Sequence, residues 1–129
     1  MTWSIAFHDK FACEFAAYPD ALRLEILAIL DLLQEEGPAL GRPHVDTLNG
    51  SHHKNMKEIR CRGVFKAWRI AFIFTPERKA LLLAAGNKSR TKSKRFYDSL
   101  IKTADTRFDS SLKETINQAS SARDNAGRV

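Results

Sequence analysis

Cysteine is scarce in this chain: 129 residues hold two, Cys13 and Cys61. Two thiols make neither a disulfide framework nor a four-ligand zinc site, so both are expected to be small buried apolar side chains. Long apolar runs are also missing. No stretch approaches the roughly 20 residues that span a bilayer, which excludes a membrane helix. The opening MTWSIAFHDK has no basic segment leading into an apolar one, so no secretion signal is expected and the default location is cytoplasmic. There is no nucleophile elbow, and Gly86-Asn87-Lys88-Ser89 is too short for a glycine-rich phosphate loop. His44, His52 and His53 lack a carboxylate or cysteine at ligand spacing, so no metal and no cofactor is expected. Internal repeats are absent, and the length suits one domain, residues 1–117. The tail 118–129, QASSARDNAGRV, has almost nothing to bury and is expected to be disordered.

What is present is positive charge, concentrated in the middle. Residues 42–95 hold fourteen Lys or Arg and three acids, Asp46, Glu58 and Glu77. Residues 1–41 hold two bases and seven acids. Residues 96–129 hold five of each. The pI of 9.6 favours acidic partners, nucleic acid first and an acidic protein second.

Hydrophobic periodicity places the elements. Trp3, Ile5 and Phe7 alternate with small residues, predicting a short strand with one buried face. Phe11, Phe15 and Tyr18 mark a first helix, interrupted at Pro19. Asp20 can cap a second, Ala21 to Glu36, stopped by Gly37-Pro38. Its stripe of Leu22, Ile26, Ile29, Leu30 and Leu33 is widened by Leu24, Leu27 and Leu32, so cover on more than one side is expected. Residues 39–54 read as loop. Strands are predicted over 55–62, 64–74 and 79–85, the middle one apolar on both faces and therefore central. A basic loop, GNKSRTKSKR, leads into a last helix from about Ser93 to Asn117, with Phe96, Leu100, Ile101, Ala104, Phe108 and Leu112 on its apolar side. The order β-α-α-β-β-β-α predicts an α+β domain: an antiparallel sheet with the helices segregated to one side.

The chemistry rests on Lys54, Lys57, Arg60, Arg69, Lys88, Arg90 and Lys94, with Tyr97 a helical turn further on. Such residues can cleave an RNA phosphodiester, because RNA supplies its own nucleophile, the 2′-hydroxyl. The protein must take that proton, steady charge on the phosphorus centre and return a proton to the 5′-oxygen. Arginine matches phosphate oxygens with a rigid fork. A lysine crowded by cations can act as base or acid, and tyrosine can move a proton or stack on a nucleobase. The plainer reading of the same bases is that they only grip backbone phosphate. By strand parity Arg60 shares a face with Met56, Glu58 and Arg62, away from Ile59 and Cys61.

The run GPALGRPHVDTLNGSHHKNMKEIRCR, then WRIAFIF, then GNKS…RFYDSLIKTADTRFDSSL resembles the HigB-like branch of the RelE/ParE toxin superfamily, over about residues 3–115. The resemblance implies a type II toxin that enters the ribosomal A site and cuts mRNA, neutralised by a helix-turn-helix, HigA-like antitoxin. It implies that Arg60 lies near the scissile phosphate and that Lys54 and Lys57 approach it. It matches Lys88 and Arg90 to basic residues after the last strand, and Tyr97 to an aromatic opening the last helix. The resulting assignment is Lys57, Arg60, Lys88 and Tyr97 as catalytic, with Lys57 or Lys54 the proposed base. Lys54, Arg62, Arg69, Arg90, Lys92 and Lys94 would bind RNA. Two rivals stand beside it: a ParE-like toxin that binds gyrase and cuts no RNA, and a basic nucleic-acid-binding module without turnover.

Overall fold

The computed structural model describes residues 2–126, with side chains described through Asn117. The chain runs β1 (Ser4–Phe7), α1 (Asp9–Ala16), α2 (Asp20–Glu36), β2 (Val45–Thr47), β3 (Met56–Arg60), β4 (Trp68–Phe74), β5 (Lys79–Asn87) and α3 (Ser93–Ala126). Short 3₁₀ turns lie at Gly37–Ala39 and Lys88–Arg90. The α+β class holds, and the five strands form one sheet in the order β1-β5-β4-β3-β2.

Three features differ from expectation. The sheet is mixed, because β1 pairs parallel with β5 while the other pairs are antiparallel. The stretch read as loop contains β2, which is held by pairing with β3 rather than by its own alternation. The helices occupy both faces. On one, Phe11 of α1 and Leu22, Ile26 and Leu33 of α2 pack with Ile59, Cys61, Ile70, Phe72 and Leu82. On the other, α3 lays Phe96, Leu100 and Ala104 on Met56, Ala71, Ile73, Leu83 and Ala84. Both faces of β4 are therefore needed as core, which is why its sequence is apolar throughout. Each fully buried Leu, Ile or Phe contributes about 1.5–3 kcal/mol.

Sequence and local structure agree closely in α2. Leu22, Ile26, Ile29, Leu30 and Leu33 are its buried residues. Leu24, Leu27 and Leu32 are exposed, so the helix is covered on one side only. The helix ends at Gly37, whose φ of 55° disfavours a side chain, and a Cβ there would come within 2.3 Å of Trp3 Nε1. His8 caps α1 by accepting the Lys10 N–H at 3.1 Å. Cys13 is exposed rather than buried, whereas Cys61 is buried and its thiol is pushed up to about 12, chiefly by that burial.

Val64 to Ala67 forms a turn before β4, and β5 continues through Gly86 and Asn87. Gly86 admits α3 closely, since a Cβ there would lie 2.9 Å from Phe96 Cε2. Helix α3 runs from Ser93 to Ala126, past the expected end near Asn117. No Gly or Pro interrupts 93–126, and Gly127 is the first breaker. Residues 127–129 lie outside the described residues. Among the described residues, no helix is long and apolar enough to cross a membrane.

Candidate active site

On the α3 face the cross-strand rows change character from one end to the other. Met56 sits opposite Ile73, Glu58 opposite Ala71, and Arg60 opposite Arg69, which in turn faces Gly86. The apolar rows lie under α3. The charged rows border an open cleft of about 440 Å³, lined by β2, β3, the Lys88 turn and Tyr97 of α3.

Glu58 is the hub of this end. Its side chain is 3% exposed, and one oxygen, Oε1, collects three partners. Arg60 Nε donates to it at 2.8 Å and Tyr97 Oη at 3.0 Å, while Arg69 Nε lies 3.6 Å away. A buried carboxylate without such partners would be strongly disfavoured, so the arginines and the phenol hold it and it holds them. Asp46, paired with Glu58 across β2 and β3, places Oδ2 3.5 Å from Arg60 Nη2 and 3.0 Å from Arg42 Nη2.

The ionisations follow from these contacts. The hydrogen bond to Glu58 raises the Arg60 pKa, so its charge is permanent. Burial, followed by the charge and hydrogen bond of Glu58, raises that of Tyr97 and keeps it a phenol at neutral pH. The Thr47 N–H and then Arg42 lower that of Asp46. Lys88 places Nζ 5.7 Å from the Tyr97 ring centre, a cation over an aromatic face.

The cleft thus gathers Arg60, Lys88 and Tyr97 from the anticipated set, and adds Arg42, Asp46 and Glu58. Arg69 stands behind Glu58 at 12% exposure, its Nη1 donating to the carbonyls of Lys66 and Trp68. Lys57 alternates with Arg60 along β3, lies opposite Thr47 and Phe72, and does not line the cleft. Lys54 and Arg62 are exposed beyond the two ends of β3 and do not line it either. Arg90, Lys92 and Lys94 are exposed on the segment joining β5 to α3, Lys94 lying 3.9 Å from Asp98. Among the described residues, no three His, Cys, Asp or Glu are placed to hold a metal. His52 and His53 instead help tie their loop to α3. The His52 N–H donates to Asp105 at 3.1 Å, and His53 Nε2 lies 2.8 Å from Asp109.

Strand parity puts Glu58 on the face of Arg60, where an ion pair between them is the structural alternative to a phosphate-binding Arg60; that pair forms, and the part the sequence did not show is that Tyr97 and Arg69 gather at the same carboxylate. Sequence reasoning missed Asp46 and Arg42 because β2 was unseen.

The profile of the family described as phage-derived Gp49-like protein (DUF891) matches residues 13–109. The candidate toxin HigB3 of Mycobacterium tuberculosis is 45% identical over 98 residues, covering 76% of this chain and 82% of the relative. The candidate toxin HigB2 of the same organism is 50% identical over 84 residues, 64% of this chain, and the match spans only 41% of that relative's length. In fold, the archaeal RelE of the RelE–RelB complex from Pyrococcus horikoshii OT3 superposes with a TM-score of 0.54 at 17% identity, covering 70% of this chain and 100% of that one. With the profile spanning most of the domain and HigB3 45% identical over most of both chains, this chain belongs to the Gp49-like, HigB-type family, and its sheet has a RelE-like fold.

Proposed function

We propose that the protein is the toxin of a type II toxin–antitoxin pair and acts as a ribosome-dependent mRNA endoribonuclease. The observation that carries this reading is the convergence of Arg60, Lys88 and Tyr97 on one cleft. Arg60 and Lys88 bind the scissile phosphate and stabilise its added charge during attack by the 2′-hydroxyl. Glu58 sets the direction of the Arg60 fork and of the Tyr97 phenol, and a carboxylate of the cleft, Glu58 or the more exposed Asp46, takes the 2′-hydroxyl proton, since Lys57 does not line the cleft. Tyr97, held as a phenol, gives its proton to the leaving 5′-oxygen. Lys54, Lys57, Arg62, Arg69, Arg90, Lys92 and Lys94 contribute longer-range attraction to RNA and to the ribosome.

The RelE neighbour is described in complex with RelB, which supports a dedicated antitoxin here, proposed to be HigA-like with a helix-turn-helix domain. The site of action is the cytoplasm, where ribosomes carry mRNA in the A site, and the working unit is the single domain 1–117. Induction should stop incorporation of labelled amino acid and create mRNA 5′ ends inside coding regions. Intact mRNA with gyrase-dependent DNA breaks would replace this reading by the ParE-like one.

A further inference from the structure

Helix α3 has a groove on each flank. Tyr97 looks into the cleft already described. The opposite flank carries Arg95, Ser99, Thr103 and Arg107 at four-residue spacing, one stripe of the helix, and these line a second groove of about 490 Å³ against β5. Asn87 and Thr91 border the same groove, so the Lys88–Arg95 segment forms a ridge between the two depressions.

The far end of this groove is closed by an ion pair. Arg107 donates to Glu14 through both Nη1 and Nη2, at 2.9 and 2.6 Å, and to the Leu83 carbonyl at 2.7 Å. Its charge is therefore answered. Arg95 is different: it is exposed, and among the described residues no carboxylate oxygen lies within 4.0 Å of it. It also stands in the first turn of α3, a turn with no acidic residue, where a cation opposes the positive end of the helix dipole. A bound anion would relieve both conditions at once. The same groove is lined by Thr91, Ser99 and Thr103, whose hydroxyls are neutral groups that can bond phosphate or ribose oxygens.

We propose that this second groove is a subsite for single-stranded RNA, in which Arg95 binds a backbone phosphate of the strand flanking the one held in the Arg60 cleft. The strand crosses the ridge past Lys88 and Arg90, so the ridge bases and Arg95 follow one continuous backbone. The assignment rests on RNA being the substrate, and it adds a residue and a direction to that reading.

The test is binding by the complete protein to RNAs carrying 2′-fluoro riboses, which lack the attacking hydroxyl, at lengths of about 4 and 12 nucleotides. Arg95→Ala should weaken the longer RNA about tenfold and lower the slope of log K against log salt by about 0.7, one phosphate contact on a single strand. The short RNA should bind as it does to the wild type, and Arg95→Lys should keep most of the slope. Equal affinity and slope for Arg95→Ala on the long RNA would overturn the subsite, as would equal loss on both lengths. Cleavage is scored separately on programmed ribosomes. A protein that cuts nothing yet shows the Arg95-dependent, length-dependent binding keeps the subsite and loses the nuclease reading. A protein that cuts mRNA but binds both RNAs independently of Arg95 does the reverse.

Discussion

The two faces of the sheet are built on different rules. Under α1 and α2, burial runs from β1 across to β2 and is apolar throughout, from Phe7 and Leu82 to Ile59 and Val45. Under α3 it is apolar only as far as Met56 and Ala71, then gives way to Glu58, Arg60 and Arg69. On the first face an error costs packing. On the second it costs an unpaired charge, and those charges are also the ones that meet a substrate. One strand serves both rules by alternation: Ile59 faces the helical pair while Glu58 and Arg60 face the cleft.

Breaking the charged face at its hub should have the largest effect. Glu58→Ala leaves Arg60 and the Tyr97 hydroxyl without their common acceptor and the largely buried Arg69 guanidinium without its nearby counter-charge, and a loss of about 3–5 kcal/mol is expected in denaturant unfolding. Glu58→Gln, which still accepts hydrogen bonds, should lose clearly less. Equal losses would mean that shape rather than charge governs this end of the sheet.

On the apolar face the comparison is sharpened within one helix. Leu22 is 1% exposed and Leu24 67%. Leu22→Ala should cost about 2–5 kcal/mol, and Leu24→Ala should stay within about 0.5 kcal/mol. A comparable loss at Leu24 would mean that the outer side of α2 is covered after all.

The smallest effect expected is at alkaline pH. Burial pushes the Tyr18 phenol, which packs on Trp68 with ring centres 5.1 Å apart, up to about 12. A raised tyrosine contributes stability that is fully present below its unfolded pKa of about 10 and is lost as pH rises through the folded value. Between pH 10 and 12 stability should decline by about 1–2 kcal/mol through this group. Tyr18→Phe should flatten the decline in a series of melting curves, and an unchanged slope would remove Tyr18 as its source.

How much of this was legible depends on whether the signal was local. Helix α2 and strand β4 were readable because a stripe or an apolar run states burial directly. The core side of α3 was readable from Phe96, Leu100 and Ala104, but a stripe does not say which face of the sheet it will cover. β1 pairs parallel with β5, a partner more than seventy residues away that alternation cannot name. Strand β2, three residues long, is too short to show a period and exists through its partner. Parity put Arg60 on the β3 face of Met56 and Glu58, as the register shows. The resemblance brought in Lys57 and Lys54 as candidates for the base; parity puts Lys57 on the face opposite Arg60, and Lys54 precedes β3. The role of Glu58 needed the register of β3 against β4 and the approach of Tyr97, neither of which is a property of any local stretch.

The central claim is that the charged end of the α3 face is where RNA is cut. It is tested most directly by single-turnover cleavage of mRNA on programmed ribosomes with Arg60→Ala, beside a melting curve of the same protein. Arg60 is 40% exposed yet bonded to Glu58, so a destabilisation of about 1–2 kcal/mol is expected, below that of Glu58→Ala. Cleavage should fall by about 10²–10³-fold, as for loss of one preorganised donor to a developing oxyanion. Arg60→Lys should not restore it, because a point charge lacks the fork. A folded Arg60→Ala protein that cuts at the wild-type rate would contradict the account.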